Sequence, residues 1–202
     1  VESGGQVSDS GWIRGLDGSW EIEVREVRKP AAGIIVHRGK VTRGQPQVDD
    51  LSSAVVDDAR RRDIMRNHTA THLLHAALTS VLGGHARQAG SLVAPDHLRF
   101  DFTHPEGMSA QQLEQVEAQV NRAILENHRL NITIKPLAQA MDEGATALFG
   151  EKYGEIVRTI AIGGKTPFSY ELCGGTHVDE TGDIGLFLIT FEGSAASGVR
   201  RI

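Results

Sequence analysis

Three histidines fall within eight positions of the stretch RNHTATHLLHAAL, residues 66–78: His68, His72 and His75. The stretch is otherwise rich in Ala and Leu, the make-up of a buried helix, and an apolar core has no need of imidazoles. On a helix, residues four apart lie one above the other, about 6 Å apart at Cβ. His68 and His72 therefore point the same way, at the spacing with which two imidazoles grip one metal ion. The same spacing also arises for histidines that are ordinary interior or surface residues of an amphipathic helix. His75, three beyond His72, is placed to share that side.

A second pair lies about a hundred residues away. In ELCGGTH, Cys173 and His177 are also four apart, but around Gly-Gly. No regular helix would choose that. The glycines let the backbone turn sharply so that thiolate and imidazole converge. Three imidazoles and a thiolate make a complete tetrahedral zinc set, with ligand distances of about 2.0–2.3 Å. Cys173 is the single cysteine, and a lone cysteine is commonly just a small buried apolar residue. HxxxH lacks the Glu of HExxH, which disfavours a metalloprotease.

Something must carry these side chains together. The chain has 202 residues, 40% hydrophobic and 23% charged, the range of ordinary soluble globular proteins, and it is long enough to bury a core without staples. One cysteine rules out an internal disulfide and fits a reducing, cytoplasmic compartment. No apolar run approaches membrane-spanning length. The polar start VESGGQVSDSG is neither a signal nor a transit peptide, and the missing initiator Met suggests an excised or processed piece. A net charge of −5 disfavours strong nucleic-acid binding through a broad basic surface. RRRD (60–63) and VRRI (199–202) are either local basic patches or solvated ends.

Residues 1–57 read as a β-rich, barrel-like subdomain: WEIEVREV alternates apolar and polar, AGIIVHRGKV has a β-branched run, and Gly and Asp-Gly punctuate both. Residues 58–202 read as an α+β unit, an antiparallel sheet with helices packed on it. Its long helix spans about 57–82 and stops at Gly83-Gly84. QAGSLVA and HLRFDFT are strands. An amphipathic helix, 109–128, is capped by Ser109, with Leu113, Val116, Val120, Ile124 and Leu125 as its stripe. LNITIKPL and EIVRTIAIG are strands, LAQAMDEGATALFG a short helix and turn, and the last 35 residues, DIGLFLITFEG included, strand and turn.

NHTATHLLHAAL, RFDF, GATALFGEKYG, ELCGGTHV, TGDIG and the ending SGVRRI resemble, in order and almost end to end, the editing domain of alanyl-tRNA synthetases. ESGGQVSDSG is similar to the segment leading into it. AlaX-type editing proteins and the threonyl-tRNA synthetase editing domain are more distant relatives. The resemblance makes 58–202 the editing domain and the chain a fragment of a ligase of protein biosynthesis, without the aminoacylation part that binds ATP and without the C-terminal domain. It implies an aminoacyl-tRNA deacylase that hydrolyses the ester of serine, and of glycine, at the acceptor end of tRNA specific for alanine. It also implies zinc on His68, His72, Cys173 and His177, either organising the pocket, the favoured role, or activating water. The threonyl relative carries a similar residue set without needing zinc for editing, which leaves a metal-free role open.

By the same resemblance Thr71, Gln88 and Cys173 form the catalytic set, and Gly4, Gly5, Gln6, Thr71 and Gln88 contact substrate. Each position has a plainer alternative. Thr71 can bond back to a helix carbonyl, Gln88 can be a strand-surface residue, and Gly4-Gly5-Gln6 can be a turn with Asp9 as its cap. Arg99 and Asp101 either pair near the site or face solvent. Glu171 either supports a ligating histidine or is an exposed strand carboxylate. No Ser-His-Asp set is evident, so water is the expected nucleophile. Two rivals are a zinc-stabilised RNA-binding module that positions the tRNA acceptor end without hydrolysis, and a metal-dependent hydrolase of small molecules.

Overall fold

The computed structural model describes residues 4–31, 33–147 and 153–202. The first unit is a four-stranded antiparallel sheet of β1 (Gly11–Gly15), β2 (Glu21–Ala31), β3 (Ile34–Arg43) and β4 (Ser52–Val56), in the order β3-β2-β1-β4. A register shift between Val24 and Glu26 explains why Val24 and Val27, three apart, are both buried: the extra residue returns the side chain to the same face. The barrel-like expectation gives way to an open sheet. Closure would require the edge strands β3 and β4 to pair, but β4 hands over at Asp57 to a helix instead of turning back.

That helix, α1 (Asp58–Leu82), follows its sequence signals at both ends. Asp57 caps it by accepting the Arg60 N–H at 3.1 Å. Gly83 ends it with a positive φ of 105° and returns its N–H to the Thr79 carbonyl at 3.0 Å. Every residue from His68 to His75 is buried, so α1 is an axis enclosed on all sides rather than a one-faced surface helix. Its N-terminal turn is tied to the leading segment: Arg61 grips Asp9 through two contacts, 2.6 and 2.8 Å, and Arg60 donates to the Ser8 carbonyl at 2.8 Å. The expected turn cap Asp9 is thus an ion-pair partner of α1.

Around α1 lie two further sheets where a single one is expected. The order β10-β11-β6-β5 joins β5 (Gln88–Val93), β6 (Leu98–Thr103), β10 (Gly193–Ala196) and β11 (Val199–Arg201). The order β7-β8-β9 joins β7 (Leu130–Pro136), β8 (Ile156–Gly163) and β9 (Pro167–Leu172). Two more helices, α2 (Ala110–Leu125) and α3 (Leu137–Asp142), complete the α+β unit. Ser109 caps α2 in a reciprocal box with Gln112. Leu125 falls outside the buried stripe, at 84% exposure, and Ala123 takes its place. Leu73, Leu74 and Leu78 of α1 share one core with Phe100, Phe102, Val116, Val120, Ile160 and Ile162. Residues 148–152 of GATALFGEKYG lie outside the described residues.

DIGLFLITFEG is not a strand. It begins within a 3-10 turn, Thr181–Ile184, and runs on without a ladder until Gly193 opens β10. The alternation is nevertheless real: Phe187 is buried while Leu186 and Leu188 are exposed. Side chains of α2 replace the missing strand partner. Asn121 accepts the Phe187 N–H at 3.0 Å and donates to its carbonyl at 2.8 Å, and Glu117 accepts the Ile189 N–H at 2.7 Å.

The basic ending is likewise built in. Arg201 forms a fork with Asp101 at 2.7 and 2.9 Å, and Arg200 one with Glu192 at 2.6 and 2.9 Å. Arg99 stands farther from Asp101, at 3.6 Å. The Arg201 hydrogen bonds hold the Asp101 carboxyl below its ordinary value of 3.8. A depressed carboxylate stabilises the fold above the unfolded value, and that contribution is lost as pH falls through the folded one. The melting-temperature gap between wild type and Asp101→Asn is therefore expected to be constant above about pH 5 and to close progressively below about pH 4, followed by thermal melts across that range. Among the described residues no helix is long and apolar enough to cross a membrane.

Candidate metal centre

α1 supplies His68 and His72. β9 leads at its end into Cys173, and the loop beyond supplies His177. The candidate ligand atoms of these four residues all lie within 4.8 Å of one another. The imidazole centroids are 4.4–5.4 Å apart, and the Cys173 Sγ is 3.4 Å from His68 Nε2. All four residues are buried.

The hydrogen bonds behind the rings decide which nitrogen faces inward. His68 Nδ1 lies 2.8 Å from Gln6 Oε1, which also accepts the Thr176 N–H at 2.9 Å and its hydroxyl at 3.1 Å. That oxygen can only accept, so His68 carries its proton on Nδ1. His72 Nδ1 donates to Glu171 Oε2 at 2.6 Å. His177 Nδ1 lies 3.2 Å from the Thr69 hydroxyl, which spends its own proton on the Met65 carbonyl at 2.9 Å and accepts the Val178 N–H at 3.2 Å. His177 must therefore donate as well. Each ring directs its Nε2 lone pair to the centre. Among the described residues, His72 Nε2 and His177 Nε2 are buried with no hydrogen-bond partner. Buried polar atoms left orphaned are costly, and a cation resolves both at once. Three nitrogens backed by outer partners and one sulfur fit a tetrahedral metal ion.

Charge balance agrees. Burial would raise Glu171, yet His72 and His75 hold its carboxyl far below the usual range. Burial would raise Cys173 too, yet the three imidazoles gathered around its thiol hold it well below the usual thiol range. Burial pushes His177 down to about 3, leaving its lone pair free. Two buried anions need a positive partner. It can be His72, which Glu171 and Cys173 push up to about 10 against the effect of burial, or a cation at the Nε2 and Sγ atoms.

The loop after β9 is fixed from β8: Arg158 donates to the carbonyls of Cys173 at 3.0 Å and Gly175 at 2.6 Å. Gly175 is required for space, not for a left-handed turn. A Cβ there would overlap the His68 ring and stand 3.0 Å from Gln6 Oε1. Gly175→Ala is expected to displace His68 and cut metal affinity at least tenfold, on the scale of a lost supporting contact, as read by competition with a chromogenic chelator. Gly4, with φ +62°, passes over the centre, and a Cβ on it would meet His68 Nε2 at 3.1 Å and Cys173 Sγ at 3.3 Å. Gly5 hydrogen-bonds Val93 of β5, which seats Gln6 beside His68.

Over its full length the chain is 51% identical to the alanine–tRNA ligase of Herpetosiphon aurantiacus and covers 24% of it. For the enzyme of Desulforamulus reducens the figures are 50% and 22%, and for that of Thermus thermophilus 53% and 23%. Over its whole length the chain is similar to one stretch of alanyl-tRNA synthetases. Residues 157–202, which include Cys173 and His177, match the threonyl and alanyl tRNA synthetase second additional domain. The chain spans about a quarter of the length of the curated relatives it matches.

Set against that family, the remaining expected residues fall in two places. Gln6 joins the metal centre as the support of His68. Thr71 is buried on α1, its hydroxyl donating to the Asn67 carbonyl at 2.8 Å, the ordinary arrangement of a helix threonine. Gln88 stands apart from the four ligands, on the wall of a cavity of about 450 Å³ that also has His75 and Glu171 in its wall. Glu171 is buried and bridges the two places. Thr69 and Arg158 escape sequence reasoning, and His75 is marked there only as sharing the side of His72, because nothing local distinguishes a helix Thr, a strand Arg or a third helix His. Only their distant partners do.

Proposed function

We propose that the chain hydrolyses mischarged tRNA, cleaving the aminoacyl ester of serine, and of glycine, from tRNA specific for alanine. What carries the reading is the meeting of three Nε2 atoms and one thiol within 4.8 Å in a chain whose relatives are alanine–tRNA ligases. A pocket that accepts alanine excludes glycine poorly by size, and an apolar pocket rejects an added hydroxyl only weakly, so a second, hydrolytic site supplies the missing discrimination. A cytoplasmic setting and a division into a β-rich unit, 1–57, and a hydrolytic α+β unit, 58–202, belong to this reading.

Zinc suits the N₃S donor set, held by His68, His72, Cys173 and His177. When bound, such an ion supplies a fixed dipositive charge able to polarise a carbonyl or acidify water. All four tetrahedral positions are taken by protein atoms, which favours an organising role. In this reading Glu171, Gln6 and Thr69 hold the rings in one tautomer, and Gly4 and Gly175 leave room for close approach. Gln88 faces the cavity with an amide that both donates and accepts, as a seryl hydroxyl requires. Water is the nucleophile.

The test is to incubate the chain with seryl-tRNA and alanyl-tRNA and follow ester loss. Release of serine with retention of alanine is expected. Binding without release would instead favour the zinc-stabilised RNA-binding module. Gln88→His is expected to lower serine release while leaving metal content and melting temperature unchanged; a wild-type rate would remove Gln88 from the site. At a net charge of −5, tRNA binding is expected to be weak and to fall further with added salt.

A further inference from the structure

We propose that His75 reads the substrate: through Nε2 it receives the α-amino group of the aminoacyl ester inside the 450 Å³ cavity. This rests on the deacylase reading above. His75 is not among the four ligands. Its Nδ1 lies 2.9 Å from Glu171 Oε1, the oxygen opposite the one that holds His72, and its ring packs on Phe100 at 5.2 Å between centroids. The residue is 6% exposed and lines the cavity. No described residue partners its Nε2. With Nδ1–H committed to the carboxylate, the lone pair of that nitrogen is left to accept.

Two of the polar groups on the cavity wall differ in kind. The Gln88 amide donates and accepts, matching a hydroxyl. His75 accepts only, with an anionic carboxylate behind it, matching a cationic ammonium that only donates. Arg87, the cation on the same wall, turns its Nε to the Gly84 carbonyl at 3.2 Å. Serine and glycine esters share the α-amino group, so His75 serves both substrates, and the hydroxyl distinction is left to Gln88. Because Glu171 also holds His72, one carboxylate ties the reading position to the metal centre.

The test is calorimetry on the metal-loaded chain with two non-hydrolysable probes. One is 3′-(L-serylamino)-3′-deoxyadenosine; the other is its 3-hydroxypropionyl counterpart, which lacks only the α-amino group. Wild type is expected to prefer the first by roughly 10- to 150-fold, the scale of a charge-assisted hydrogen bond. His75→Asn keeps a donor near Nδ1 for Glu171 and removes the cavity-facing nitrogen; it is expected to bind both probes equally with full metal content. His75→Gln, which restores a polar atom near Nε2, is expected to regain part of the preference. Equal binding of the probes by wild type, no binding of either, an undiminished preference in His75→Asn, or loss of metal from that variant would each overturn the assignment. Failure of the deacylase reading registers separately, as retained serine on seryl-tRNA with the probe preference intact.

Discussion

Cys173→Ala is expected to empty the metal centre and to stop serine release. Removing Sγ takes away the single anionic ligand and leaves three imidazoles, two of which have no other partner for Nε2 among the described residues. The main core lies largely outside the centre, so the variant is expected to fold, with lower stability. A ligand at a thousand times its dissociation constant stabilises by about 4 kcal/mol. For a chain of this size that is roughly 8–16 °C of melting temperature. Wild type is therefore expected to lose about that much when stripped by a chelator, whereas Cys173→Ala starts low and does not respond. Metal analysis, chelator melts and the seryl-tRNA assay check this together. Unchanged metal content and unchanged deacylation in the variant would refute the assignment of the centre.

The second large effect is expected at Glu171, which touches no metal ion in the proposed centre. Glu171→Ala leaves two buried Nδ1–H donors, on His72 and His75, without their acceptor. Each orphaned donor costs about 1–3 kcal/mol, and loss of an outer carboxylate on a ligating histidine weakens metal binding about 10–100-fold. Glu171→Gln restores an acceptor for one ring without the charge and is expected to fall between alanine and wild type. A ranking of metal affinity in the order wild type, Gln, Ala supports a carboxylate acting through His72. Equal affinity in all three would show that the ring needs no such support.

Much of this molecule is written locally. Asp57 and Gly83 end α1 where a capping side chain and a positive φ dictate, and Ser109 with Gln112 opens α2 for the same reason. The i, i+4 spacing of His68 and His72 fixes that both rings leave one side of α1, whatever the helix packs against. The alternation in DIGLFLITFEG correctly marks which side chains go inward. Helical and extended periodicities are properties of a few consecutive residues, so sequence alone determines them.

Partners are a different matter. The same alternation could not say that Asn121 and Glu117 of a helix, not a strand, would satisfy that segment. Strand-rich residues 11–56 could not say whether β3 and β4 would meet. The four residues of the candidate metal centre could be grouped from the sequence, but not the nitrogen each ring would offer. Gln6, Glu171 and Thr69 decide that, from up to 108 positions away. Gln88 and Glu171 also came to share a cavity wall with a histidine that the sequence left as a mere neighbour of His72. A tautomer, a cavity and an ion-pair partner are each set by groups brought close only when the chain closes on itself. No spacing along the chain encodes them, and tertiary structure alone settled them.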